Sequence, residues 1–190
     1  TIREITEAMS VTVRTVLRSV PTETTITTIK GKFVSDIQIL DEGSAAILQS
    51  IDQKENSYAK SYDALRNTTI YTSEAIENFD SDSEQTKYLE DILPVVYNII
   101  GAVQQKATDS IEKIDKIYLT GTLACINNLD LYFQEYLGTT KCEILKPSIA
   151  NSGRDTNIKE YIEVNSAISL ALQGLGQGME GISFKQDLAT

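Results

Sequence analysis

Apolar positions alternate early in the chain and later recur every three or four residues, so strands come first and helices dominate afterwards. Residues 1–9 set Ile2, Ile5 and Met9 at helical spacing and read as the end of a helix. A β-branched run follows from Val11 to Val20, with Val11, Val13, Val16 and Leu17 as its core-facing positions. Two more strand-like runs, Thr24 to Ile29 and Phe33 to Leu40, flank Lys30-Gly31-Lys32, a short turn holding the glycine that tight hairpins favour. The three runs predict an antiparallel meander.

Ser44 to Gln53 carries Ala45, Ile47, Leu48 and Ile51 and predicts a helix; Ser57 to Arg66 predicts a second. Residues 67–85 are polar, acidic and poor in apolar side chains, and read as a mobile loop or insertion. From about Thr86 to Asp109, Leu89, Ile92, Leu93, Val96, Ile99, Ile100 and Val103 form one stripe, the strongest helix signal in the chain. Pro94 lies inside that stripe and either kinks the helix or marks its start. A short strand, Ile114 to Leu119, runs into Thr120-Gly121. A helix over Asn127 to Leu137, a strand over Lys141 to Leu145, a loop at 150–157 and a last helix over Lys159 to Leu175 complete the pattern. Paired strands followed by strands joined through helices predict an α/β fold: a ribonuclease-H-like, mixed five-stranded sheet with helices on both faces. The expected divisions are 1–56 (meander and helix), 57–85 (a small helical or loop insertion), 86–176 (the remainder of the lobe) and 177–190 (a flexible tail).

Composition narrows the chemistry. The 190 residues carry 17 basic and 27 acidic side chains, a formal charge of -10, with no Lys/Arg cluster. Such a surface repels phosphate backbones, so nucleic acid is not an expected partner. Histidine is absent and cysteines number two, Cys125 and Cys142, which excludes His-based acid–base catalysis, His-ligated zinc and a disulfide framework. Both cysteines read as buried reduced thiols. No apolar run reaches the roughly 18 residues that a membrane span needs, and no signal peptide is visible. The chain starts at Thr1 and reads as an excised piece. Asp80, Asp82 and Glu84 lack the glycine and distal glutamate of a calcium loop and read as a solvated acidic loop. No catalytic residue and no metal site is assigned, and the chain is not expected to be an enzyme.

The stretch from Ile114 to Leu145, with Pro147 after it and Tyr161 to Gly174 later, resembles the PilM family of type IV pilus assembly proteins, within the actin-like ATPase superfamily that also holds FtsA. The resemblance implies one lobe of a two-lobed fold around a nucleotide cleft. It carries the nucleotide contacts onto Thr22, Thr24, Thr25, Gly121 and Thr122. The family pattern at the first hairpin is Asp-x-Gly followed by hydroxyl residues; here the acidic position is Ser19 and the glycine position is Pro21. Proline supplies no amide donor and cannot imitate a glycine placed for close phosphate approach. At the later turn the family prefers two glycines, and Gly121 is followed by β-branched Thr122. In the helix from Ser57, the family's Glu and Lys positions hold Tyr62 and Leu65, or Asp63 and Arg66 after a one-residue shift.

On their own, Gly121 reads first as a turn glycine, and the threonine run reads equally as a half-exposed strand. The resemblance therefore implies a cytoplasmic scaffold with a degenerate nucleotide site. It would be held at the inner face of the membrane through a PilN-like membrane protein, with no cofactor expected and ATP with Mg²⁺ as the open exception. Self-association is open as well. The alternatives are a functional actin-like ATPase or an FtsA-like cell-division protein; the tail from Gly176 to Thr190 does not look like the amphipathic anchor of the latter.

Overall fold

A computed structural model describes residues 13–19, 22–31, 33–73, 83–109, 114–138, 140–145 and 158–175. The helix expected over 1–9, the loop at 150–157, the tail at 177–190, Pro21, Asp80 and Asp82 lie outside those residues. Strands β1 (Val13–Ser19), β2 (Thr24–Lys30) and β3 (Phe33–Leu40) form the meander. Gly31 turns β2 into β3 at φ 58°, a left-handed conformation that favours glycine. Helices α1 (Ser44–Glu55) and α2 (Tyr58–Asn67) follow, then α3 (Leu89–Asp109), which runs through Pro94. Strand β4 (Lys116–Gly121), a 3₁₀ turn (Thr122–Cys125), α4 (Leu129–Leu137), β5 (Lys141–Ile144) and α5 (Ile158–Gly174) complete the order.

The strands make one sheet in the order β3-β2-β1-β4-β5. The meander is antiparallel, and β4 joins β1 in parallel, as does β5 to β4. Parallel neighbours need long crossovers, and helices supply them. Side chains alternate between faces along each strand. Ile26 and Leu119 therefore share one face and pack in the main core with Ile47, Leu48 and Ile51 of α1, Leu65 of α2, and Ile92, Val96, Ile99, Ile100 and Val103 of α3. Each such buried aliphatic side chain contributes about 1.5–3 kcal/mol. Thr120, next to Leu119, points to the opposite face. There Asn165 of α5 donates to its hydroxyl at 3.0 Å and to the Leu145 carbonyl at 3.1 Å.

The structure corrects the sequence expectation at two places. Thr68, Ile70 and Thr72, read as part of a mobile polar loop, are buried. The strap they form is bonded to the start of α4: the Ile70 amide donates to the Asn127 carbonyl at 3.1 Å, and the Asn127 amide to the Thr68 carbonyl at 2.9 Å. Helix α4 also starts at Leu129 rather than Asn127, because the 3₁₀ turn and Asn128, in the left-handed region at φ 63°, come between strand and helix. Pro94 interrupts the backbone ladder early in α3 without ending it, since the apolar stripe on both sides stays anchored in the core.

Candidate functional site

Two stretches of chain assigned to one site from the sequence, the first hairpin and the turn after β4, meet at one end of the sheet. Ser19, the last residue of β1, stands in register with Thr24 on one side and Gly121 on the other. This is the carboxyl end of the parallel strands, where open α/β sheets hold ligands. Gly121 takes φ 87° and ψ -172°, a region essentially restricted to glycine. Its backbone swings β4 directly into the 3₁₀ turn, where Thr122 is half-buried.

The threonines do not act together. Thr22 is exposed. Thr24 is buried, and its hydroxyl donates to the Glu42 carbonyl at 2.7 Å, which ties the start of β2 to the chain leaving β3. Thr25, one residue on, is half-buried and points to the other face. Beneath the strand ends lies a cavity of about 20 Å³, lined by Thr24, Thr120 and apolar side chains that include Val96, Leu119, Leu123 and Phe133. That is room for about one water molecule.

In α2, Leu65 is fully buried in the core and Tyr62 packs against it. The Arg66 guanidinium lies 5.9 Å from the Tyr62 ring centre, and Asp63 is exposed. Of the two alignments considered for this helix, only the one shifted by a residue puts charged side chains on its outer surface.

Several residues that organise this end carried no motif in the sequence. Asn127 Nδ2 donates to Thr69 Oγ1 at 3.1 Å, and Asn128 Nδ2 to the Ile70 carbonyl at 3.1 Å, so the strap is held by side chains as well as backbone. The Lys159 ammonium, at the start of α5, donates to the Arg66 carbonyl near the end of α2, and the Cys125 thiol donates to the Lys159 carbonyl at 3.8 Å. Burial holds the Lys159 ammonium below its ordinary pKa. Asn165 closes the same end from the opposite face. The one signal that could have found these residues is the Asn127-Asn128 pair, since asparagine tolerates the left-handed backbone of a tight turn.

Both cysteines are free and buried. Burial, reinforced by the negative charge of Asp130, pushes the Cys142 thiol up to about 12. Among the described residues, no three His, Cys, Asp or Glu side chains gather as a metal site would require. No helix among them is long and apolar enough to cross a membrane.

No family model and no curated sequence matches the chain. Solved structures do. A PilM–PilN type IV pilus biogenesis complex aligns with a TM-score of 0.63 at 15% identity, over 91% of this chain and 48% of that one. An archaeal actin homologue, Ta0583, aligns at 0.57 and 11% identity, over 88% and 49%. The ethanolamine utilization protein EutJ from Carboxydothermus hydrogenoformans aligns at 0.52 and 10% identity, over 75% and 46%. The fold is actin-like. The chain spans about half the length of each of these proteins, and at such identities the likeness speaks for the fold alone.

Proposed function

We propose that this chain is a PilM-type lobe serving as a cytoplasmic scaffold of type IV pilus assembly, with a nucleotide site too altered to turn over ATP. The observation that carries the reading is the alignment of 91% of the chain onto the PilM–PilN complex, at a TM-score of 0.63. It agrees with the resemblance in the stretch from Ile114 to Leu145. The partner is then the cytoplasmic tail of a PilN-like membrane protein, and the scaffold reaches the membrane through it.

The local chemistry fits a nucleotide poorly. The Thr24 hydroxyl is engaged within the chain, and Thr25 points to the other face. Pro21 brings no amide and Thr122 brings a branched side chain. Phosphoryl transfer also needs metal, phosphates and water positioned from both sides of a cleft, which one lobe cannot do alone.

A functional actin-like ATPase is the second reading. It is favoured by the convergence of Ser19, Thr24 and Gly121 at the carboxyl end of the parallel strands. Isothermal titration of the full-length protein with ATP and Mg²⁺ separates the two. No heat and no thermal stabilisation at millimolar nucleotide is the expected outcome; micromolar binding with slow hydrolysis restores the ATPase. Titration with a PilN-like tail peptide tests the scaffold role, which fails if the full-length protein does not bind it.

A further inference from the structure

Strand β3 is the outermost strand of the sheet, and among the described residues nothing pairs with its free edge. An open edge offers a row of N–H and C=O groups to any second strand, and proteins usually blunt it. Here the side chains invite pairing. Ile37 and Ile39 are each 58% exposed. They stand opposite Thr27 and Thr25, on the face turned away from α1 and α3. On the other face Asp36 is tied to Lys106 of α3, so that side of the strand is already occupied. The register shift beside Thr28 and Ile29 leaves Asp36–Leu40 as a regular five-residue run, long enough for a short ladder.

We propose that β3 pairs antiparallel with β3 of a second copy of this chain, about a two-fold axis at Gln38. In that register Ile37 of each copy stands opposite Ile39 of the other, so four isoleucines meet side by side on the open face and each loses part of its exposure to its neighbours. A two-fold contact must be self-complementary, and the charges meet that requirement. The β2–β3 hairpin has Lys30 at its turn and Glu23 and Asp41 at its open end. Antiparallel pairing brings the acidic end of each copy toward the basic end of the other. Side-by-side parallel pairing sets like charges together and lacks that complementarity.

Sedimentation velocity on the full chain across micromolar concentrations tests the proposal. The expected result is a concentration-dependent dimer. Ile37→Glu should weaken it at least tenfold while leaving the circular dichroism unchanged, because the side chain is already more than half exposed. Gln38→Cys gives a second readout. Residues directly opposed across an antiparallel pair have Cα atoms about 4.5–5.5 Å apart, within disulfide reach. Mild oxidation should therefore yield a covalent dimer, whereas Ser35→Cys, which stands opposite Asp41 in this register, should not cross-link. A chain that stays monomeric throughout, with Gln38→Cys uncross-linked, overturns the proposal. So does a dimer that is indifferent to Ile37→Glu, since its interface then lies elsewhere.

Discussion

The end of β4 and the start of β2 lie side by side, and both fall where the actin-like resemblance expects nucleotide contacts, yet they are built differently. At the end of β4 the backbone itself is specialised. Gly121 sits where only glycine is comfortable, and Asn165 locks the neighbouring Thr120 and Leu145 from the far face. At the start of β2 the hydroxyl residues do ordinary local work: Thr24 ties two chain segments together, Thr22 faces water and Thr25 points away. The difference teaches that a backbone only glycine tolerates marks a position more visibly than a hydroxyl does. A threonine can be reassigned to a strand end without leaving any trace in composition, whereas a glycine at φ 87° has no bland substitute.

The contrast can be broken by substitution, beginning with the largest effect. Gly121→Val should destabilise the chain by about 3 kcal/mol, the upper end of the cost of a strained backbone, in urea unfolding; a cost under about 1 kcal/mol would mean the turn relaxes freely. Asn165→Ala should cost about 1–3 kcal/mol, because it strips the partner from two buried acceptors. Combining it with Thr120→Val should cost less than the sum of the two single changes, as a double-mutant cycle reads out. At the start of β2, Thr24→Val should cost only about 0.5–1.5 kcal/mol, the worth of one hydrogen bond. Thr22→Ala should stay within about 0.5 kcal/mol, as exposed positions do. The last prediction concerns pH. The Cys142 thiol is raised from the ordinary 9.0 to about 12, so above pH 9 the unfolded chain releases this proton more readily than the folded one. Stability should be fully present below about pH 9 and fall as pH rises toward about 12. Cys142→Ala should show a shallower alkaline decline, and a decline unchanged by the substitution would remove the thiol from the explanation.

Much of the fold was legible because it is periodic. The bounds of β3, Phe33–Leu40, were the same in the sequence and in the structure, since apolar alternation and a turn glycine mark it on the near side. The α3 stripe was equally plain, because one face of a helix must be buried. The strap at Thr68–Thr72 was missed for the opposite reason. Its order comes from Asn127 and Asn128, nearly sixty residues away, and no local count of apolar side chains registers such bonds. The candidate site was readable only as positions. The sequence brought Ser19, Thr24 and Gly121 into one group, and the register of three strands does so too. Nothing in the order of residues said that the Thr24 hydroxyl would be spent on Glu42, or that Asn165 and Lys159 would close the same end, because those are tertiary bonds between elements far apart in sequence.

The parallel pairing of β1 with β4 also has a bearing on how the chain is made. Arg14 finds its β4 neighbour, Lys116, about a hundred residues later. The meander of β1, β2 and β3 is local and can form as soon as it emerges, but β1 at its edge then waits for β4. About eighty residues separate the end of β3 from the end of β4, so at translation speeds of about 5–20 residues per second the wait lasts roughly 4–16 s. Throughout that interval the nascent meander carries two open edges rather than one, β1 as well as β3. Non-local pairings of this kind form more slowly than local ones, and the period before β4 arrives is when the newborn chain most needs shielding from its neighbours.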